Sequence, residues 1–169
     1  MRIGVRNKMA KIYMTCGKIC SGKTTYAEKL RIKHNAVVLS VDEITLALFG
    51  NDAGEKLDFY VEKLEEYFFV KALDIIETGT DVIFDWGFWT KQEREYARKF
   101  FDSKNVEYKF FYLNVDDDEW RRRIGKRNQQ IEDNETEAYY VDEGLAEKVS
   151  SIFEEPDENE IAEMVKVEG

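Results

Sequence analysis

Lys11-Ile12-Tyr13-Met14-Thr15-Cys16-Gly17-Lys18-Ile19-Cys20-Ser21-Gly22-Lys23-Thr24 is the stretch that decides the fold. Its first six residues are short and largely apolar, and they run straight into a glycine turn. Beyond the turn Ala27, Leu30 and His34 recur on one helical face, so the stretch reads as strand, loop, helix. Residues 17–24 match G-x-x-x-x-G-K-[ST] in full, in the strand-to-helix context the pattern requires. Glycines at 17 and 22 let the backbone wrap around a phosphate, while successive N–H groups and the positive end of the helix dipole face it. The expected cradle is Gly17, Lys18, Ile19, Cys20, Ser21, Gly22, Lys23, Thr24 and Thr25. Lys23 would reach the β- and γ-phosphates of ATP and Thr24 would bind Mg²⁺. A glycine turn without a ligand is the alternative, and spacing and context argue against it independently.

Outward from the loop, Ala36 to Ser40 is an apolar run without alternation, as expected for a second strand covered on both faces. A short helix around Ile44 to Phe49 leads through the loop Gly50-Asn51-Asp52-Ala53-Gly54 into Leu57 to Glu77. There Leu57, Val61, Leu64, Phe68, Ala72 and Ile75 keep helical spacing. Asp81 to Asp85 is the third strand, followed by a helix with Tyr96, Ala97 and Phe100 on one side. Val106 to Val115 is the fourth strand, ending in the acidic turn Asp116-Asp117-Asp118. A basic helix follows over Trp120 to Asn128, then a polar stretch to Glu137 expected as a mobile loop. The last helix carries Val141, Leu145, Val149 and Ile152, and Ile161 to Val167 is an expected edge strand. This alternation predicts a three-layer α/β fold with a doubly wound parallel central sheet and its ligand at the carboxyl ends of the strands. Residues 1–10 read as an N-terminal extension and 11–169 as a single domain, with a helical lid around 116–138.

The 169 residues are 43% hydrophobic, enough for one core and not comfortably two. Charged residues at 36% and aromatics at 14% exclude a disordered chain. No apolar run approaches the roughly 20 residues of a membrane helix, and Met1 to Lys11 lacks the apolar stretch of a signal peptide. A cytoplasmic protein is expected. Cys16 and Cys20 supply neither a disulfide framework nor a four-ligand metal site. Cys16 reads as a small buried residue. Cys20 reads either as a thiol activated at a helix N-terminus or as the filler of a variable loop position. The net charge of −10 argues against a general nucleic-acid binder. That average conceals an asymmetry: residues 1–33 hold nine basic and one acidic residue, whereas residues 132–163 hold thirteen acidic and one basic. Local basic surface near the phosphate loop is therefore compatible with the total.

Four segments, in this order, make the chain resemble a family: Gly17 to Thr24, Ser40-Val41-Asp42-Glu43-Ile44, Val82-Ile83-Phe84-Asp85-Trp86-Gly87-Phe88-Trp89, and Arg123-Ile124-Gly125-Lys126-Arg127-Asn128. The family is that of the small P-loop kinases related to polynucleotide 5′-kinase, chloramphenicol phosphotransferase and the zeta toxins. The resemblance extends from Lys11 to Pro156, where Phe153-Glu154-Glu155-Pro156 resembles a tail found in further members. It implies a nucleoside-kinase-like P-loop NTPase fold, ATP and Mg²⁺ as cofactors, and transfer of the γ-phosphate to a hydroxyl. By resemblance Asp42 is the carboxylate that accepts the hydroxyl proton, Asp85 holds Mg²⁺, and Arg123 and Arg127 are lid arginines.

The residues themselves leave some of these roles open. Asp42 follows the second strand and should emerge near the γ-phosphate, but aspartate there would also cap the next helix. Asp85 closes a buried strand, where a carboxylate is costly unless something pairs with it. Arg123 and Arg127 stand at i and i+4 on one helix face, with Arg121 and Arg122 as electrostatic support. Trp86, Phe88 and Trp89 fit an acceptor-stacking platform and a core equally well. His34, the only histidine, reads as a helix C-terminal residue. One departure matters: Thr45 stands where the polynucleotide kinase branch has an arginine three positions after the aspartate, which argues against a nucleic-acid 5′ end as acceptor. The expected partner is a small-molecule or nucleotide acceptor; an NTPase switch acting on a protein partner is the competing reading.

Overall fold

The computed structural model describes residues 9–50, 54–160 and 163–166. Most of the expected N-terminal extension, the centre of the Gly50 to Gly54 loop, and Ile161 and Val167 lie outside the described residues. Five strands form one sheet: β1 (Ile12–Cys16), β2 (Val37–Ser40), β3 (Val82–Asp85), β4 (Tyr108–Asn114) and β5 (Glu163–Lys166). All pairings are parallel and the order is β2-β3-β1-β4-β5. The helices are α1 (Lys23–His34), α2 (Val41–Phe49), α3 (Leu57–Glu77), α4 (Lys91–Ser103), α5 (Asp117–Glu132) and α6 (Glu143–Ile152).

Strand periodicity sorts the core into two layers. Ile12, Met14, Cys16, Val82 and Phe84 pack with Phe68, Phe69 and Ala72 of α3 and with Ala97 and Phe101 of α4. Tyr13, Ile83, Phe111 and Leu113 pack on the opposite side with Ala27 and Leu30 of α1. The expected three-layer parallel α/β fold is present. The chain leaves β1 toward β2 and β3 on one side and later reaches β4 on the other, so the end of β1 is a topological switch point. Among the described residues no helix is long and apolar enough to cross a membrane.

Several boundaries differ from the sequence reading for physical reasons. β2 is an edge strand, and Val37 is 40% exposed rather than covered on both faces. α2 begins at Val41, directly after β2, because Ser40 caps it with its hydroxyl accepting from the Glu43 N–H at 3.4 Å. α5 runs from Asp117 to Glu132, since Asp116 caps it and the polar residues after Asn128 continue the helix. Tyr96 is exposed, and Arg94 takes the buried place on the α4 face beside Ala97 and Phe101.

Phe84 is fully buried, with its ring 4.5 Å from that of Trp86, 5.2 Å from Phe69 and 5.8 Å from Phe101. Phe84→Ala should destabilise the protein by about 3–5 kcal/mol through lost burial and the residual cavity. Urea unfolding measures this; a loss below about 1 kcal/mol would mean that the layer repacks freely.

Candidate functional site

The phosphate loop hangs between the ends of β1 and β3. The Thr15 hydroxyl donates to the carbonyls of Phe84 (3.2 Å) and Trp86 (3.4 Å), the Cys16 thiol to that of Phe88 (3.5 Å), and the Gly17 N–H to that of Gly87 (3.0 Å). Gly17 has φ +151°, and a Cβ there would come within 2.7 Å of Ser21 Oγ and 2.8 Å of the Leu113 carbonyl. Cys20 (φ 57°) and Gly22 (φ 100°) are left-handed, which turns the chain back into α1.

α1 starts with no side-chain cap and no acidic residue in its first turn. Its first N–H groups and dipole therefore form an anion-binding end. The Ser21 hydroxyl is buried inside the loop without a hydrogen-bond partner, which is costly unless a ligand supplies one. Lys23 Nζ crosses the loop and donates to the carbonyls of Lys18 (2.7 Å) and Gly17 (3.1 Å). Desolvation lowers its pKa from the ordinary lysine value, against the pull of Asp85 and then Asp42.

Asp85 is buried at the end of β3, in register with Ser40. Burial raises its carboxyl above the usual range, opposed by a hydrogen bond from the Thr24 side chain and the charge of Lys23. Asp42 is exposed in the first turn of α2 and acts electrostatically on both Lys23 and Asp85. The structure thus brings Lys23, Thr24, Asp42 and Asp85 together. It corrects the capping reading of Asp42, because Ser40 performs that role. Glu43, which sequence reasoning passed over, also raises Asp85.

α5 forms the other wall. Buried Trp120 donates its indole N–H to the Ile19 carbonyl at 2.7 Å. Lys18 Nζ lies 4.6 Å from the Trp120 ring centroid and 3.1 Å from Asp117. Arg127 Nη1 reaches Cys20 Sγ at 3.4 Å, so this arginine sits against the loop. Arg123 is turned to Glu119 (2.6 Å), which also binds Arg122 and whose carboxyl is pulled down to about 2 by hydrogen bonds from Arg122 and then Arg123. The polar stretch to Glu137 read as a mobile loop is helical as far as Glu132 and is flanked by anchors: Asn128 exchanges two hydrogen bonds with the Val141 backbone (2.8 and 3.0 Å), and Tyr139 donates to Thr45 Oγ1 at 2.8 Å. Trp120 is the member of this wall that sequence reasoning missed, although a buried aromatic within a charged helix was a visible signal.

The aromatic segment after β3 serves packing. Trp86 stacks between Phe84 (4.5 Å) and Phe88 (5.0 Å), Phe88 is buried, and Trp89 joins the cluster around Trp120 and Val149. Cys16 is buried, and burial pushes its thiol up to about 12. His34 lies at the opposite edge of the sheet, stacked on Tyr13 and 3.9 Å from Asp81.

Known proteins agree with this architecture. A chain of the Pnkp1/Rnl/Hen1 RNA repair complex superposes with a TM-score of 0.68 at 21% identity over 85% of this chain, which spans only 43% of that one. A Chloroflexus aurantiacus protein gives a TM-score of 0.71 at 17% identity, covering 94% of this chain and 85% of its own. The Mycobacterium tuberculosis APS kinase CysC, solved with AMPPNP and APS, gives 0.62 at 16% identity, covering 94% and 88%. No curated protein matches in sequence. A family model described as an AAA domain matches residues 12–151. The chain therefore belongs to that AAA domain family and shares the P-loop α/β fold of these structures.

Proposed function

We propose that this protein is an ATP- and Mg²⁺-dependent phosphotransferase whose acceptor is a hydroxyl on a small molecule or nucleotide. One observation carries the reading: an uncapped α1 N-terminus, a buried unpartnered Ser21 hydroxyl and a desolvated Lys23 converge beside two carboxylates at the carboxyl edge of the sheet. Lys23 would exchange its two carbonyl partners for the β- and γ-phosphate oxygens, recovering stronger charge-assisted bonds. Thr24 and Asp85 fit a hard divalent cation, since both offer oxygen and the buried carboxylate gains from a cation. Mg²⁺ bound there would neutralise charge on the β- and γ-phosphates. Asp42 would accept the proton of the acceptor hydroxyl as its oxygen bonds to the γ-phosphorus and the bond to the β–γ bridging oxygen breaks, releasing ADP. Arg127, already against the loop, would stabilise the transferring phosphoryl group. Arg123 would join it by leaving Glu119.

Thr45 is buried beneath the Tyr139 hydroxyl and supplies no positive charge beside Asp42, which argues against a nucleic-acid end despite the likeness to a repair complex. The two free thiols accord with a cytoplasmic location. A nucleotide switch would hydrolyse ATP without an acceptor, so acceptor dependence separates the two readings.

The test is transfer of labelled γ-phosphate from ATP to a panel of hydroxyl-bearing metabolites and antibiotics. Asp42→Asn should lower transfer by about 10²-fold or more while leaving ATP affinity unchanged. Because Ser40 is the cap, Asp42→Ala should lose activity equally without a fall in melting temperature. Transfer at the wild-type rate in Asp42→Asn would overturn the base assignment.

Lys23→Ala should abolish measurable ATP binding in calorimetry while its melting temperature holds or rises, since the lysine is desolvated in the free protein. Undiminished affinity would sink the phosphate-loop role.

Asp85→Asn separates stability from function. The folded carboxyl titrates above its ordinary value of 3.8, so its favourable contribution is full below that pH and is lost as pH rises through the folded value. Without ligand, the Asn variant should therefore melt above wild type at neutral pH, with the gap closing toward pH 3. Its stabilisation by Mg²⁺ with ATP should be much smaller. A variant that melts lower at neutral pH, or responds fully to Mg²⁺ with ATP, contradicts this account.

A further inference from the structure

The Phe88 and Trp89 carbonyls that adjoin the loop's backstop are themselves held from behind by a charge. Arg94 is fully buried on α4, a position arginine rarely takes unless every donor is satisfied. Its Nε and Nη2 meet the two oxygens of Glu160, each at 3.3 Å. Its Nη1 donates to the carbonyls of Phe88 at 3.0 Å and Trp89 at 3.4 Å. Glu160 is buried in turn and also accepts from Arg98 (3.2 Å) and the Asp157 N–H (3.0 Å). The Trp89 carbonyl takes a further bond from the Glu154 N–H at 2.8 Å.

The segment so gripped is the one that carries the phosphate loop. The Phe88 carbonyl accepts the Cys16 thiol as well as the guanidinium, and the neighbouring Gly87 carbonyl holds the Gly17 N–H. Phe88 has φ 43°, a left-handed conformation that a bulky residue keeps only when its surroundings impose it. Gly87 also leaves room for the Trp89 indole, which a Cβ at that position would overlap. An apolar side chain in place of Arg94 would fill the same volume without the desolvation cost, so stability alone does not call for an ion pair here. What the guanidinium adds is direction: a planar fork fixes two carbonyls and one carboxylate at once.

We propose that Arg94 is a positioning residue for the nucleotide: by clamping the Phe88 and Trp89 carbonyls against Glu160, it sets where Gly17 and the phosphate loop lie. The 154–160 segment thereby acts on the ATP site through Arg94. The inference rests on the nucleotide-site reading above and adds a residue that the loop motif does not contain.

The experiment titrates ADP with Mg²⁺ into wild type, Arg94→Met combined with Glu160→Gln, Arg94→Lys, and Glu160→Gln, each with its melting temperature recorded. In the double variant no buried charge faces a missing Arg94, and the amide introduced by Glu160→Gln keeps an oxygen for Arg98 and the Asp157 N–H. It should melt within a few degrees of wild type yet bind ADP at least about tenfold more weakly, with KM for ATP raised and KM for the acceptor unchanged. Arg94→Lys should retain the ion pair and the stability without restoring ADP affinity, because a point charge cannot hold both carbonyls and both carboxylate oxygens. A folded double variant with wild-type ADP affinity, or full rescue by lysine, overturns the inference. If the double variant does not fold, Arg94→Lys decides: weaker ADP binding at near wild-type stability supports the clamp, and unchanged binding overturns it. Wild-type protein that binds no ADP at millimolar concentration would instead overturn the proposed function, and this inference with it.

Discussion

Hydrogen bonding between β1 and β3 does not stop where the strands stop. Past Met14 and Phe84, the last paired residues, the seam continues as Thr15 to the Phe84 and Trp86 carbonyls, Cys16 to Phe88 and Gly17 to Gly87. The phosphate loop is thus an extension of the sheet, held along one side by irregular backbone that has its own strained residue, Phe88. Loops at strand ends are free to vary; this one is confined because both of its borders are.

That confinement gathers charge where water is scarce. Lys23, Asp85 and Asp42 act on one another, and burial works against the ionised forms of the first two. The lysine donates to two carbonyl oxygens and Asp85 accepts from the Thr24 side chain, partners weaker than a phosphate or a divalent ion. A phosphate beside Lys23 or a divalent cation beside Asp85 would offset that desolvation.

How much of this was legible depends on how local each cause is. The loop, the helix behind it and the alternation of elements follow from spacing within a few residues. Asp42 and Asp85 could be put at the sheet edge because each closes an apolar run. Ser40 as the cap was missed, because the helix was expected to begin near Ile44 with Asp42 ahead of it, whereas α2 begins at Val41. The exposure of Val37 depends on strand order, which no local pattern encodes. Trp86 belongs with the core because Phe68 and Phe69 of α3 lie against it, and Phe88 because Phe110 of β4 does, contacts that no local pattern encodes. Arg94 was hidden for the same reason: its partner lies 66 residues away, and a basic residue on a helix reads as solvated until something is known to cover it.

The same limit bears on the helix that follows β4. Sequence made α5 a basic lid, and a lid implies a body that moves. Trp120 argues for a division of labour instead. Its indole is buried under the loop and bonded to Ile19, with Lys18 against its face, so the first turns of α5 belong to the rigid wall of the phosphate site. Arg127 lies two turns further along and also meets the loop, through Cys20. Arg123 lies between these contacts and is turned back to Glu119 within the same helix. With the helix held at both Trp120 and Arg127, the proposed approach of Arg123 to a phosphate would be a side-chain rotation away from Glu119 rather than a swing of the backbone. Any larger motion then falls to the connection after Glu132, which reaches across to Thr45 through the single hydroxyl of Tyr139.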